Sequence, residues 1–92
     1  MTHTQELETG KMTNIEFARR VGCHHTTASR YRNGERVPST AITMRILSEF
    51  DLTPKQKDEL SSVLSKAVPL ERRRALYGAW LRANVFNQPA TP

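Results

Sequence analysis

The sequence holds a single cysteine, Cys23, in 92 residues. That excludes an intrachain disulfide and a CxxC metal knuckle. No run of about 18 apolar residues occurs, so no membrane-spanning segment is expected. The amino-terminal residues are polar and lack the apolar core of a secretory signal, which points to the cytoplasm. No alternating run of strand length appears either. Also missing are a glycine-rich phosphate loop, a Ser/His/Asp spacing and a paired-carboxylate arrangement. His24 and His25 are adjacent, but they have no HExxH or paired-cysteine partner to complete a metal site. These absences predict a protein that is not an enzyme and that uses no metal and no cofactor.

What is present is positive charge. Fourteen Lys and Arg stand against nine Asp and Glu, a formal net charge of +5. The excess is concentrated in two places. Residues 19–36 carry Arg19, Arg20, Arg30, Arg32 and Arg36 against Glu35, and residues 69–92 carry Arg72, Arg73, Arg74 and Arg82 against Glu71. Two basic segments of this kind suit a polyanionic partner, although charge alone does not name it. The length allows one small core, and the 37% hydrophobic content is enough to build it.

Helix signals run the length of the chain. A short helix is expected over residues 4–9, anchored by Leu7. Thr13-Asn14-Ile15-Glu16 has the form of a capping box, in which the Thr13 hydroxyl and the Glu16 carboxylate each satisfy the other's backbone N–H. Phe17, Ala18 and Val21 give the following helix an apolar face, and Gly22 stops it. Residues 24–32 form a second short element with poor intrinsic propensity, since two Thr, two His and a Ser sit in nine residues. Only Ala28 and Tyr31 are placed to face inward. A weak helix former with so thin an apolar face makes sense if its outer face is reserved for a partner, and Asn33-Gly34 ends it. Ser39 opens a third helix, with Ile42, Met44, Ile46, Leu47 and Phe50 on its inner side. Thr53-Pro54-Lys55-Gln56 starts a fourth, with the stripe Leu60, Val63, Leu64, Ala67 and Val68. Pro69 is a boundary, and residues 70–86 form a last helix.

Two short helices separated by Gly22-Cys23-His24, with Ala18 small enough to let them cross closely, make a helix-turn-helix. Its second helix fits a major groove with its amino-terminal residues at the base edges. The run from Phe17-Ala18 through Val21-Gly22-Cys23, Thr26, Tyr31 and Asn33-Gly34 resembles the Cro/C1-type helix-turn-helix family of phage repressors and their bacterial relatives. The resemblance covers about residues 13–52. Two positions depart from the family pattern. His24 stands where a capping Ser is common, and Ala28 stands where Val or Ile is usual. Both departures predict a recognition helix held somewhat loosely in the absence of DNA.

The resemblance implies an all-α fold of five or six short helices in the lambda-repressor-like arrangement. It also implies a transcriptional repressor that binds double-stranded operator DNA, commonly as a homodimer on an inverted repeat. The family's base-reading positions fall on His25, Thr26 and Arg30, with Thr27, Ser29 and Arg36 nearby. Phosphate contacts are expected from Thr13, Asn14, Arg19, Arg32, Asn33 and Ser39. The expected organisation is a helix-turn-helix domain over residues 1–68, a packing or dimerisation helix over 69–86, and a disordered tail over 87–92. The aromatic face Leu76, Tyr77, Trp80, Leu81, Val85 and Phe86 is too large to leave exposed. It has two destinations, the chain's own core or a second copy. An antitoxin-like protein, whose carboxy-terminal helices hold a protein partner, is the alternative reading. Such a repressor would work at the nucleoid of a bacterial host. The tail is also compatible with a linker stub, so the chain is either a compact repressor or the DNA-binding part of a longer one.

Overall fold

Side-chain caps set where most of the helices begin. The computed structural model describes residues 11–65 and 67–89, and among them there are five helices and no strand. The helix expected over residues 4–9 lies outside the described residues. The five are α1 (Asn14–Val21), α2 (His25–Arg32), α3 (Thr40–Glu49), α4 (Pro54–Val63) and α5 (Leu70–Asn84). None is long and apolar enough to cross a membrane.

At α1 the Thr13 hydroxyl accepts from the Glu16 N–H at 3.0 Å. The reciprocal half of the expected capping box is not formed. Glu16 pairs with Arg19 instead, because a charge-assisted bond to a guanidinium one turn away outcompetes a neutral backbone N–H. Gly22 closes α1 in the left-handed region, at φ 80°, and its N–H donates to the Ala18 carbonyl. A side chain there would meet open space, so glycine is needed for the backbone angle and not for room. The poor cap expected of His24 is corrected. Its Nδ1 accepts from the Thr26 N–H at 3.2 Å, so a ring nitrogen stands in for a serine oxygen. Ser39 caps α3 by accepting from Ile42. Thr53 and Gln56 form the complete box at α4, with bonds of 3.1 and 2.8 Å.

Three boundaries differ from the sequence expectation. First, α4 stops at Val63, so Ala67 is exposed and Val68 only half-buried, in a turn beyond the helix. The Arg73 guanidinium holds that turn by donating to the Ser65 and Val68 carbonyls at 3.1 and 3.0 Å. Second, α5 ends at Asn84, and the N–H groups of Val85 and Phe86 both return to the Leu81 carbonyl. Third, the expected disordered tail is tied down as far as Pro89. The Met12 N–H donates to the Gln88 carbonyl at 3.0 Å, and the Gln88 amide donates to the Asp51 and Asn84 carbonyls.

α1 packs on α2 and α3, and α5 packs on α2 and α4. The core is one cluster drawn from every helix and from the segments at both ends of the described chain. Phe17 is fully buried at its centre, with Phe50 stacked at 5.5 Å and Phe86 tilted at 4.8 Å. Met44, expected on the inner side of α3, is 65% exposed. Thr43 takes the inward place instead, and its hydroxyl bonds the buried Tyr77 hydroxyl at 2.7 Å. Trp80 donates its indole N–H to the Gln56 carbonyl at 3.0 Å, which ties α5 to the start of α4. Where α5 crosses the end of α2 the two backbones touch. A Cβ on Gly78 would lie 2.9 Å from the Gly34 nitrogen, 3.0 Å from its Cα and 3.1 Å from the Tyr31 carbonyl oxygen.

Two outcomes follow from this packing. Gly78→Ala should lower stability by about 1–3 kcal/mol in denaturant unfolding, because backbone must give way. The gain of about 1 kcal/mol in helix propensity is too small to offset it, and a variant as stable as the parent would contradict the crossing. Burial pushes the Tyr77 hydroxyl up to about 12. An acid whose folded value is raised adds stability below its ordinary value near 10 and loses it as pH climbs towards 12. Stability should therefore fall across that window, and Tyr77→Phe should flatten the fall.

Candidate nucleic-acid interface

α2 is anchored by two residues. Ala28 is fully buried, Tyr31 nearly so, and no other residue of the helix is buried. Ala28 packs in the core with Ala18 of α1, and two small side chains allow the tight crossing of the pair. Cys23, in the turn between them, is partly buried against the same cluster. Burial pushes its thiol up, away from a reactive thiolate.

The remaining side of α2 carries the expected base readers. His25, Thr26 and Arg30 are exposed, and Thr27 and Ser29 are half-buried beside them. Arg36, in the loop after the helix, is exposed as well. Among the described residues neither Arg30 nor Arg36 bonds a carboxylate or a carbonyl, so both guanidinium forks face solvent ready for a planar acceptor pair. The rings of His24 and His25 lie 4.3 Å apart, which fixes one face of His25 at the amino end of the helix.

The expected phosphate contacts divide into three groups. Thr13 and Ser39 use their oxygens to cap α1 and α3, and each keeps a hydroxyl proton to donate. Asn33 caps the end of α2 with its N–H, and its side-chain amide lies 3.5 Å from the Ser29 hydroxyl. Asn14 and Arg32 are joined, the guanidinium donating to the Asn14 Oδ1 at 3.3 Å while it stacks on the Phe86 ring at 4.7 Å. Arg19 is exposed but engaged with Glu16. Arg20 serves the fold, donating to the Glu49 carbonyl at 2.8 Å and lying over Phe50.

Of the expected aromatic face, Tyr77, Trp80 and Leu81 on α5 and Val85 and Phe86 just past its end are buried in the chain's own core. Leu76 is 36% exposed and is not part of that core. Arg82 was not singled out from the sequence. Its guanidinium donates to the Arg32 carbonyl at the end of α2. Fifty residues separate the two, and no local pattern announces the contact.

The helix-turn-helix family model matches residues 5–56, more than half of the chain. No curated protein and no solved structure matches it at a significant level. The matched stretch contains both α1 and α2 with their turn, and the chain belongs to the Cro/C1-type helix-turn-helix family, whose members are DNA-binding transcription regulators.

Proposed function

We propose that the chain is a sequence-specific repressor of the phage immunity type, which lays α2 in the major groove of a double-stranded operator. The observation that carries this reading is the division of α2. Ala28 and Tyr31 hold it to the body while His25, Thr26 and Arg30 stand clear in solvent.

Arg30 is the principal base reader. Its fork matches O6 and N7 of a guanine, a contact worth about 1–3 kcal/mol of discrimination. The methyl groups of Thr26 and Thr27 suit a thymine methyl, and their hydroxyls suit a base edge or a phosphate. His25 donates or accepts according to its tautomer. Ser29 and Arg36 extend the contact along the groove and past the end of the helix. Thr13, Asn14, Arg19, Arg32, Asn33 and Ser39 fix the register by holding backbone phosphates on either side. Two copies on an inverted repeat complete the reading, acting in the bacterial cytoplasm at the nucleoid. The burial of Tyr77, Trp80 and Leu81 in this chain's own core favours the repressor over the antitoxin-like alternative.

Selection from randomised duplexes, with the mass of the complex measured, should return one operator and its stoichiometry. On that operator Arg30→Ala should relax preference at one base pair of the half-site, by about 5- to 150-fold, the equivalent of about 1–3 kcal/mol. Asn14→Ala should weaken all duplexes alike. Equal losses on every sequence for Arg30→Ala would overturn its role as a base reader.

A further inference from the structure

We propose that Arg82 is a phosphate-contacting residue, so that the carboxy-terminal helix takes a direct part in DNA binding. This inference rests on the DNA-binding reading above. Its starting point is a chain of contacts across three helices. Asn14 is the first residue of α1, Arg32 the last of α2, and Arg82 lies in the last turn of α5. The Arg32 guanidinium donates to the Asn14 side chain, and the Arg82 guanidinium donates to the Arg32 backbone carbonyl. The Arg82 head is thereby held at the end of α2, and the last side chain of α2 reaches the start of α1.

Among the described residues neither Arg32 nor Arg82 pairs with a carboxylate. Glu16, one turn into α1, is engaged by Arg19. Glu35, three residues beyond Arg32, is exposed and joins neither of them by an ion pair or hydrogen bond. An anion at this place gains from a cation that has no carboxylate partner among the described residues. The arrangement is also braced. Arg32 is stacked on the Phe86 ring, Phe86 is buried, and the contact of α5 with Gly34 and Tyr31 fixes α5 one turn before Arg82. A guanidinium held in place loses less entropy on binding than one on a free surface arm.

The location matches the chemistry. In helix-turn-helix docking the first helix of the pair crosses the DNA backbone while the second enters the groove. The amino end of α1 then faces phosphate with its free N–H groups and the positive end of its dipole. Arg82 is joined to that end through Arg32. Its exposed guanidinium, which spends one donor on the Arg32 carbonyl, keeps four of its five N–H groups for the same phosphate or the next one along the strand. The contact carries no sequence information. It adds affinity and salt sensitivity, and it makes a helix outside the matched helix-turn-helix segment part of the binding surface.

The test is the salt dependence of binding to the selected operator and to an unrelated duplex, using the full chain. The parent must first show a linear fall of log K with log salt. If it does not, the DNA-binding reading itself fails, and the role of Arg82 falls with it. Given that fall, Arg82→Gln should reduce the slope by about 0.9 on both duplexes, the value for one lost phosphate contact. Arg82→Lys, which keeps the charge, should restore it. Lys57→Gln removes a charge from α4, a helix that does not pack against α1 or α2, and should leave the slope near that of the parent. An unchanged slope in Arg82→Gln would overturn the proposal. So would a loss of affinity shared equally by the Gln and Lys variants at constant slope, which would mark a purely structural bond to the Arg32 carbonyl.

Discussion

Two backbones meet where Gly78 of α5 lies against Gly34 and the Tyr31 carbonyl, leaving no room for a Cβ. Almost everything the protein presents to a partner depends on it. α2 has little helical preference of its own and only eight residues, too few to persist alone in water. It is held on one side by α1, through Ala18 and Ala28, and at its far end by α5. Gly34 can turn away there because it adopts φ 76°, and α5 can come close because neither glycine carries a side chain. The recognition helix is therefore a product of tertiary packing more than of its own sequence.

That dependence explains why the carboxy-terminal helix belongs to the same folding unit as the helix-turn-helix. A boundary at Pro69 divides the elements correctly but not the core. Tyr77, Trp80, Leu81, Val85 and Phe86 are packed in one cluster with Phe17, Ile46 and Leu60. The polar bonds follow the same plan. Thr43 with Tyr77, Trp80 with Gln56, and Gln88 with Met12 each join segments far apart in the chain. With so little apolar surface available, a chain of this length gains from satisfying its buried polar groups across those joints.

Much of this was legible in the sequence, because the signals are local. Ser39, Thr53-Pro54 and Gly22 act within four residues of themselves, so these three helix boundaries could be placed from spacing. Ala28 and Tyr31 were readable as the inner face of α2 for the same reason. What escaped was decided at a distance. Arg73 reaches back to clamp the turn after α4, and that contact is why the apolar stripe stops short of Ala67 and Val68. Met44 fits a helical stripe by spacing, yet Thr43 is turned inward by a hydroxyl 34 residues away. Glu16 had two candidate partners at nearly the same separation, and the charged one prevailed. Arg82 had no local signature, and its neighbours became known only when α5 was laid beside α2.

The two-point attachment of α2 has a consequence for how such a protein changes over time. Ala28 and Tyr31 are buried in the body of the protein and Arg32 is tied to α1 and to the Phe86 ring, while the exposed positions His25, Thr26 and Arg30 contribute little to holding the helix in place. On the proposed reading, substitutions among those exposed positions alter what is recognised without disturbing what is folded. A lineage of these proteins can thus drift from one target to another through single replacements, each tolerated by the scaffold, and related copies in one cell can diverge until they ignore one another's targets.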